Sequence, residues 1–200
     1  MKNKFFLIVL NTMLLILTSR VFAQTQLGSD IDGEAATDYS GYSVSIDSDG
    51  DRVAIGAYNN EQYDGHTRVY EYSGGSWTQL GSDIDGEGCC DRAGNSVSIN
   101  SDGDRVAIGA HLNGGTGSQA GHVRVYAYSS GSWTQLGSDI DGEASRDRSG
   151  TSVSINSAGD RVAIGAIYND GTASNAGHVR VYEYSSGSWS QLGSDIDGEA

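Results

Sequence analysis
The residues best suited to chemistry are carboxylates at short, fixed spacing. Asp-x-Asp-Gly-Glu occurs four times, as Asp30, Asp32 and Glu34, as Asp83, Asp85 and Glu87, as Asp139, Asp141 and Glu143, and as Asp195, Asp197 and Glu199. A further Asp follows at Asp38, Asp91 and Asp147. Such a group could hold a hard cation; calcium wants six to eight oxygens. A solvated turn, copied with everything around it, explains the same residues. A second acidic pattern runs Asp47, Asp49 and Asp51, then Asn100, Asp102 and Asp104, then Asn156, Ala158 and Asp160. Its third copy has lost the central carboxylate, and the favoured expectation there is a plain hairpin. Calcium is thus the one cofactor to be considered, at the first pattern, and otherwise none is expected.

Catalytic patterns are weaker. Gly-x-Ser-Val-Ser recurs in three places and lacks the closing Gly of a nucleophile elbow. His66, His122 and His178 occupy one recurring position, as a packing or turn residue would, and the unrepeated His111 reads as a solvated loop residue. Gly115-Thr116-Gly117 has no Lys after it and no helical pattern to open. The expectation is therefore a protein that is not an enzyme.

The elements that carry these groups are repeats. Thr-Gln-Leu-Gly-Ser-Asp-Ile-Asp-Gly-Glu begins at Thr25, Thr78 and Thr134, and returns with Ser190 in first place, giving periods of 53, 56 and 56 residues. Each unit continues through Gly-x-Ser-Val-Ser-Ile, Gly-Asp-Arg-Val-Ala-Ile-Gly-Ala, a variable Gly/Asn loop, Gly-His-x-Arg-Val-Tyr, and a Gly/Ser turn before a Trp. Apolar and polar residues alternate in all four runs, which is the period of a β-strand. Asp49-Gly50 and Asp102-Gly103 stand between the first two runs, a strong hairpin signal because such turns need positive φ. Four short strands per unit predict an all-β fold: a β-propeller, or part of one, built from four-stranded antiparallel blades. The predicted organisation is a leader at 1–23, blades at 24–77, 78–133 and 134–189, and the start of a fourth unit at 190–200. Closed propellers need four to eight blades. Either a longer chain or the association of several copies is expected to complete the ring.

Charge and leader set the compartment. Lys2 and Lys4 precede an apolar run from Phe5 to Thr18, and Val21-Phe22-Ala23 forms a small-x-small cleavage site, the pattern of a secretory signal peptide. The remainder carries nine arginines against 26 acids, a formal charge of −17. That argues against nucleic acid or an anionic membrane surface as partner, and no later run is apolar enough to insert in a bilayer. Cys89 and Cys90 are adjacent, and neighbours rarely meet disulfide geometry, so no staple is expected.

The order Gly-x-Ser-Val-Ser-Ile, Asp-Gly-Asp-Arg-Val-Ala-Ile-Gly-Ala, Gly-His-Val-Arg-Val-Tyr resembles the FG-GAP repeat, the blade unit of integrin α-subunit propellers and their bacterial relatives. The resemblance covers residues 25–200. Where the family has Phe-Gly, this chain has Ser40-Gly41, Ala93-Gly94 and Ser149-Gly150, and its Pro after Gly-Ala is here Tyr58, His111 and Ile167. The resemblance implies a calcium site in the first hairpin of each blade and an exported, non-catalytic module for extracellular binding or adhesion, with a protein or glycan partner. Its ligand would meet the divergent loops Tyr58 to Gly65, His111 to Gly121 and Ile167 to Gly177. Two other expectations stand beside it: a propeller serving as scaffold for a secreted hydrolase or lyase, and a self-associating surface repeat.

Overall fold
The computed structural model describes residues 24–199; the leader expected at 1–23 lies outside the described residues. Three antiparallel sheets follow one another along the chain. The first contains β1 (Ser43–Ile46), β2 (Arg52–Ala57), β3 (His66–Ser73), β4 (Ser76–Gln79) and β5 (Ile84–Asp85). The second contains β6 (Ala93–Ile99), β7 (Arg105–Ala110), β8 (His122–Ser129), β9 (Ser132–Gln135) and β10 (Ile140–Asp141). The third contains β11 (Ser149–Ile155), β12 (Arg161–Ala166), β13 (His178–Ser185), β14 (Ser188–Gln191) and β15 (Ile196–Asp197). Each is a propeller blade of four strands in meander order, with a two-residue fifth strand added at the start of the third. No described helix is long and apolar enough to cross a membrane.

Alternation produces the blades, and the seams between them hold the core. Val97, Ile99, Val106 and Ile108 of the second blade bury with Ala54, Val69 and Ile84 of the first. Val123, Val125 and Ile140 bury in the same way with Ile155, Val162 and Ile164 of the third. First strands of neighbouring blades converge: Ser43 Oγ donates to the Gly94 carbonyl and Ser96 Oγ to that of Gly150, both at 2.8 Å. They line the inner edge of the array. At the outer edge Trp133 Nε1 donates to the Leu80 carbonyl and Trp189 Nε1 to that of Leu136, each at 2.7 Å. The second and third blades are therefore each bonded to the blade before at both ends of the radius.

The end faces show what a seam covers. Ile99 and Ile155 are 6% and 9% exposed, whereas their counterpart Ile46, on the outward face of the first blade, is 58% exposed. Ile84 and Ile140 are buried, and their counterpart Ile196 on the far face of the third blade is exposed.

The hairpins expected at Asp49-Gly50 and Asp102-Gly103 form, with Gly50 at φ 75° and Gly103 at φ 65°. Asp47 Oδ1 accepts from the backbone N–H groups of Gly50, Asp51 and Arg52 at 2.9–3.1 Å. Asn100 and Asn156 repeat this arrangement in the other blades. The oxygen a cation would use is thus engaged in shaping the turn. Cys89 and Cys90 are free and exposed, with their Sγ atoms 2.7 Å apart.

Candidate functional site
Antiparallel order brings the divergent loops to one end of the array. Ala57 pairs with His66, Ala110 with His122 and Ala166 with His178, so every β2–β3-type loop leaves and returns at that end. Ala93 pairs with Ala110 and Ser149 with Ala166, so the segments entering the inner strands arrive there too. The Asp-x-Asp-Gly-Glu copies lie at the same end, as straps between blades.

The strap splits its carboxylates. Asp85 joins β5 and pairs with the backbone of His66. Asp83 points to His66 of its own blade, while Glu87 reaches His122 of the next. The expected groups of three within one copy therefore do not converge. Three mixed groups do: Glu34, His66 and Asp83; Glu87, His122 and Asp139; and Glu143, His178 and Asp195. Asp30 is bonded to Gln26, and the Asp32 and Asp141 carbonyls accept from Arg68 and Arg180. The trailing Asp38, Asp91 and Asp147 accept from Asn60, Asn113 and Asn169 and so tie down the loops. The recurring histidines are the first residues of their strands and are buried, and burial lowers His122 below the ordinary imidazole range against the pull of Asp139.

Nearer the axis stands a second constellation, drawn from the divergent loops and from one repeat position that is Tyr39 in the first unit and arginine, Arg92 and Arg148, in the next two. Arg92 and Arg148 directly precede β6 and β11 in left-handed backbone, at φ 59° and 56°, the turn geometry that their counterpart Tyr39 also adopts at φ 55°. The Arg92 guanidinium lies 5.4 Å from the Tyr58 ring and 5.8 Å from that of Tyr63; Arg148 lies 4.8 Å from Tyr168. Among the described residues, Arg52, Arg68, Arg124, Arg161 and Arg180 form ion pairs with carboxylates, whereas Arg92, Arg105, Arg146 and Arg148 form none. Arg105 is instead bonded to the Gly159 carbonyl, away from this site. Arg146, Arg148, Gln119, Tyr168 and Asn175 line an open pocket of about 410 Å³.

His111 sits beside these arginines. It is 9% exposed and its Nδ1 is sealed without a partner, so the solvated loop residue expected from sequence is in fact buried. Burial, then the charges of Arg92 and Arg148, lower its pKa to about 4. It is neutral at pH 7, and one ring nitrogen is available to take a proton. The repeat pattern offers a partial signal, since Arg92 and Arg148 hold one position in successive units, whereas His111 is unrepeated and carries none.

The lowered pKa has a consequence for stability. The folded chain prefers neutral His111, so its contribution is complete above the ordinary pKa of about 6.5 and is lost as pH falls through 4. Between pH 7 and 4 the wild type should lose up to about 3 kcal/mol relative to His111→Gln, in which carboxylate titrations are shared and cancel. Urea unfolding of both proteins across that range checks this, and parallel stability curves would contradict it.

No family model matches the sequence, and no curated protein is detectably similar to it. Solved structures do share the fold. A protein assigned as a 6-phosphogluconolactonase from Bacteroides uniformis aligns with 77% of this chain and 40% of its own, at 9% identity and a TM-score of 0.53. The periplasmic gluconolactonase PpgL of Pseudomonas aeruginosa aligns with 78% and 39%, at 17% identity and 0.51. Saccharomyces cerevisiae Sqt1 aligns with 80% and 35%, at 17% identity and 0.50. The chain thus spans about two fifths of the length of these propellers.

These findings correct the family resemblance. The FG-GAP and integrin-like reading is cut back to the fold, a β-propeller shared with two structures that are named as lactonases. The reason is physical: in this chain the inner-strand glycines, the Asp-Gly turns and the alternating Val-Ala-Ile strands serve hairpin geometry and seam packing, which any family of blades can need. The accompanying expectations, a non-catalytic adhesion module and a protein that is not an enzyme, lose the resemblance they rested on, and two of these three neighbours carry enzyme names instead.

Proposed function
We propose that this chain supplies part of the catalytic face of an exported hydrolytic propeller that opens the lactone rings of acidic sugars. One observation carries the reading: neutral, buried His111 stands beside Arg92 and Arg148, which pair with no carboxylate, near an open pocket, in a chain otherwise strongly acidic. The gluconolactonase names among the fold neighbours support it.

The chemistry is that of an internal ester. His111 would take a proton from water as the oxygen attacks the lactone carbonyl. A guanidinium would stabilise the oxyanion of the tetrahedral intermediate and then the carboxylate it becomes. The ring oxygen leaves as an alcohol once His111 returns that proton to it, and the new carboxylic acid gives its remaining proton to solvent at pH 7. Tyr168, which is exposed and lines the pocket beside Arg148, offers a surface on which a sugar ring can rest.

Proton release from glucono-δ-lactone and from its 6-phosphorylated form, measured at pH 7 with the full chain, tests this. The expected result is saturable hydrolysis above the spontaneous rate, with Arg148→Met raising KM about tenfold or more for the phosphorylated substrate. A rate no greater than that of buffer with either lactone would overturn the reading.

A further inference from the structure
We infer that each seam strap completes a binding site for a divalent transition metal of the zinc class, with His Nδ1 and two carboxylate oxygens as ligands. The observation is geometric and occurs three times. Toward His122 Nδ1 point Glu87 Oε2 at 3.9 Å and Asp139 Oδ2 at 3.6 Å. Toward His178 Nδ1 point Glu143 Oε2 at 3.8 Å and Asp195 Oδ2 at 3.5 Å. Toward His66 Nδ1 point Glu34 Oε2 at 4.0 Å and Asp83 Oδ2 at 3.8 Å.

These separations exceed those of hydrogen bonds. They lie close to the spacing of about 3.4 Å that ligands adopt around a tetrahedral ion at roughly 2.1 Å from each. His122 and His178 are 3% and 6% exposed, and the Nδ1 of each is sealed from solvent with no hydrogen-bond partner while aimed at the two oxygens. A buried ring nitrogen without a partner is costly unless something else occupies its lone pair.

The other oxygens are already spoken for. Glu87 Oε1 meets Arg124, and Asp139 Oδ1 accepts from Arg124 Nε and Gln135 Nε2 at 2.9 and 2.7 Å. Arg180 and Gln191 serve Glu143 Oε1 and Asp195 Oδ1, and Arg68 and Gln79 serve Glu34 Oε1 and Asp83 Oδ1. Every carboxylate thus has one oxygen fixed by an Arg or Gln donor and the other turned to the imidazole. Of the latter, Asp139 Oδ2 also accepts from Arg124 Nη2 at 3.0 Å, and Glu87 Oε2 and Glu143 Oε2 lie 3.5 Å from Asn113 Nδ2 and Asn169 Nδ2, contacts the ion would share. With neutral His, two carboxylates and one guanidinium leave a net charge of −1 for a cation to offset. Mixed nitrogen and oxygen donors select zinc-like ions over calcium, which takes oxygen ligands. Glu87 comes from the strap before the second blade and Asp139 from the strap after it, so the ion would clip both straps to that blade.

The test uses the full chain in a Cys89→Ser/Cys90→Ser background, since the exposed thiols would bind zinc themselves. After chelator treatment, Zn²⁺ is titrated in competition with a chromophoric chelator. Three equivalents are expected, along with a rise in Tm. Glu34→Gln/Glu87→Gln/Glu143→Gln should lower the affinity at least tenfold and abolish the thermal shift, with its circular dichroism unchanged. Should the triple variant not fold, Glu87→Gln alone should bind two equivalents. Absence of zinc binding, equal binding by the variants, or displacement of zinc by equimolar Ca²⁺ would overturn the inference. None of these outcomes bears on lactone hydrolysis, which is proposed at different residues.

Discussion

Alanine at position 109 breaks the seam between the second and third blades. A Cβ at Gly109 would lie 2.1 Å from the Gly150 carbonyl oxygen, 2.3 Å from Ser96 Oγ and 3.0 Å from the Gly150 carbonyl carbon. Two of those atoms are backbone of the neighbouring inner strand, so no side-chain rotation relieves the contact. The third blade would have to move outward, stretching the bonds from Ser96 Oγ to Gly150 and from Ile155 N–H to Ser98 Oγ, at 2.8 and 3.0 Å. The buried apolar cluster along the same seam would open with them. Gly109→Ala should cost about 3 kcal/mol or more, the upper range for overpacking. Gly165 is the matched control. It holds the equivalent position in the third blade, where a Cβ would meet only Ser152 within 3.9 Å, at Oγ 2.4 and Cβ 3.8 Å, besides the Ser152 carbonyl at 3.9 Å. A serine side chain can turn away, so Gly165→Ala should cost at most about 1 kcal/mol. Chemical denaturation of both variants decides the matter, and equal losses would refute the account of the seam.

Glutamine at position 111 should lower kcat/KM for lactone hydrolysis by about 10²–10⁴, the contribution of a positioned general base. The substitution keeps a polar side chain of similar reach but removes the basic nitrogen. Near pH 7, where His111 is already neutral, fold and stability should be nearly unchanged. A second readout separates catalysis from packing. The wild-type rate should fall on the acid side with an apparent pKa near 4, the value that burial and the flanking arginines impose. The residual rate of the variant should lack that limb. Full activity in His111→Gln would remove His111 from the mechanism.

Much of the fold is legible in the sequence because blades are made of alternation and turns, and both are local. Val53 with Ile55, and Val106 with Ile108, announce strands; Asp49-Gly50 announces the turn that joins them. The fifth strand is not legible. Ile84 and Asp85 pair with β3 through two residues, too few for any periodicity, and the carboxylates around them dominate the segment. The division of the strap between blades is hidden for a related reason. Counting repeats from Thr25, Thr78 and Thr134 places Asp83 and Glu87 in one unit, whereas the fold cuts between them. A usable signal is present, since His66, His122 and His178 recur as faithfully as the acids. Arg92, His111 and Arg148 cannot be grouped from sequence. Arg92 and Arg148 share one repeat position, which is Tyr39 in the first unit, while His111 stands where the other units have Tyr58 and Ile167, and only the convergence of inner strands brings the three together.

The near-identity of the blades carries a cost in information. Arg-Val-Ala-Ile-Gly-Ala is spelled identically in β2, β7 and β12, and it meets almost the same partner strand each time. The contacts of one seam therefore carry no address that distinguishes it from the next. What assigns each strand to its place is tethering: a strap of fixed length, and loops too short to reach a wrong blade. Between two molecules that tether is absent, and a blade from one can enter the array of another while keeping every bond of its seam. The order of this array is enforced by the local concentration that connectivity creates, so dilution during folding protects it and crowding among nascent chains scrambles it.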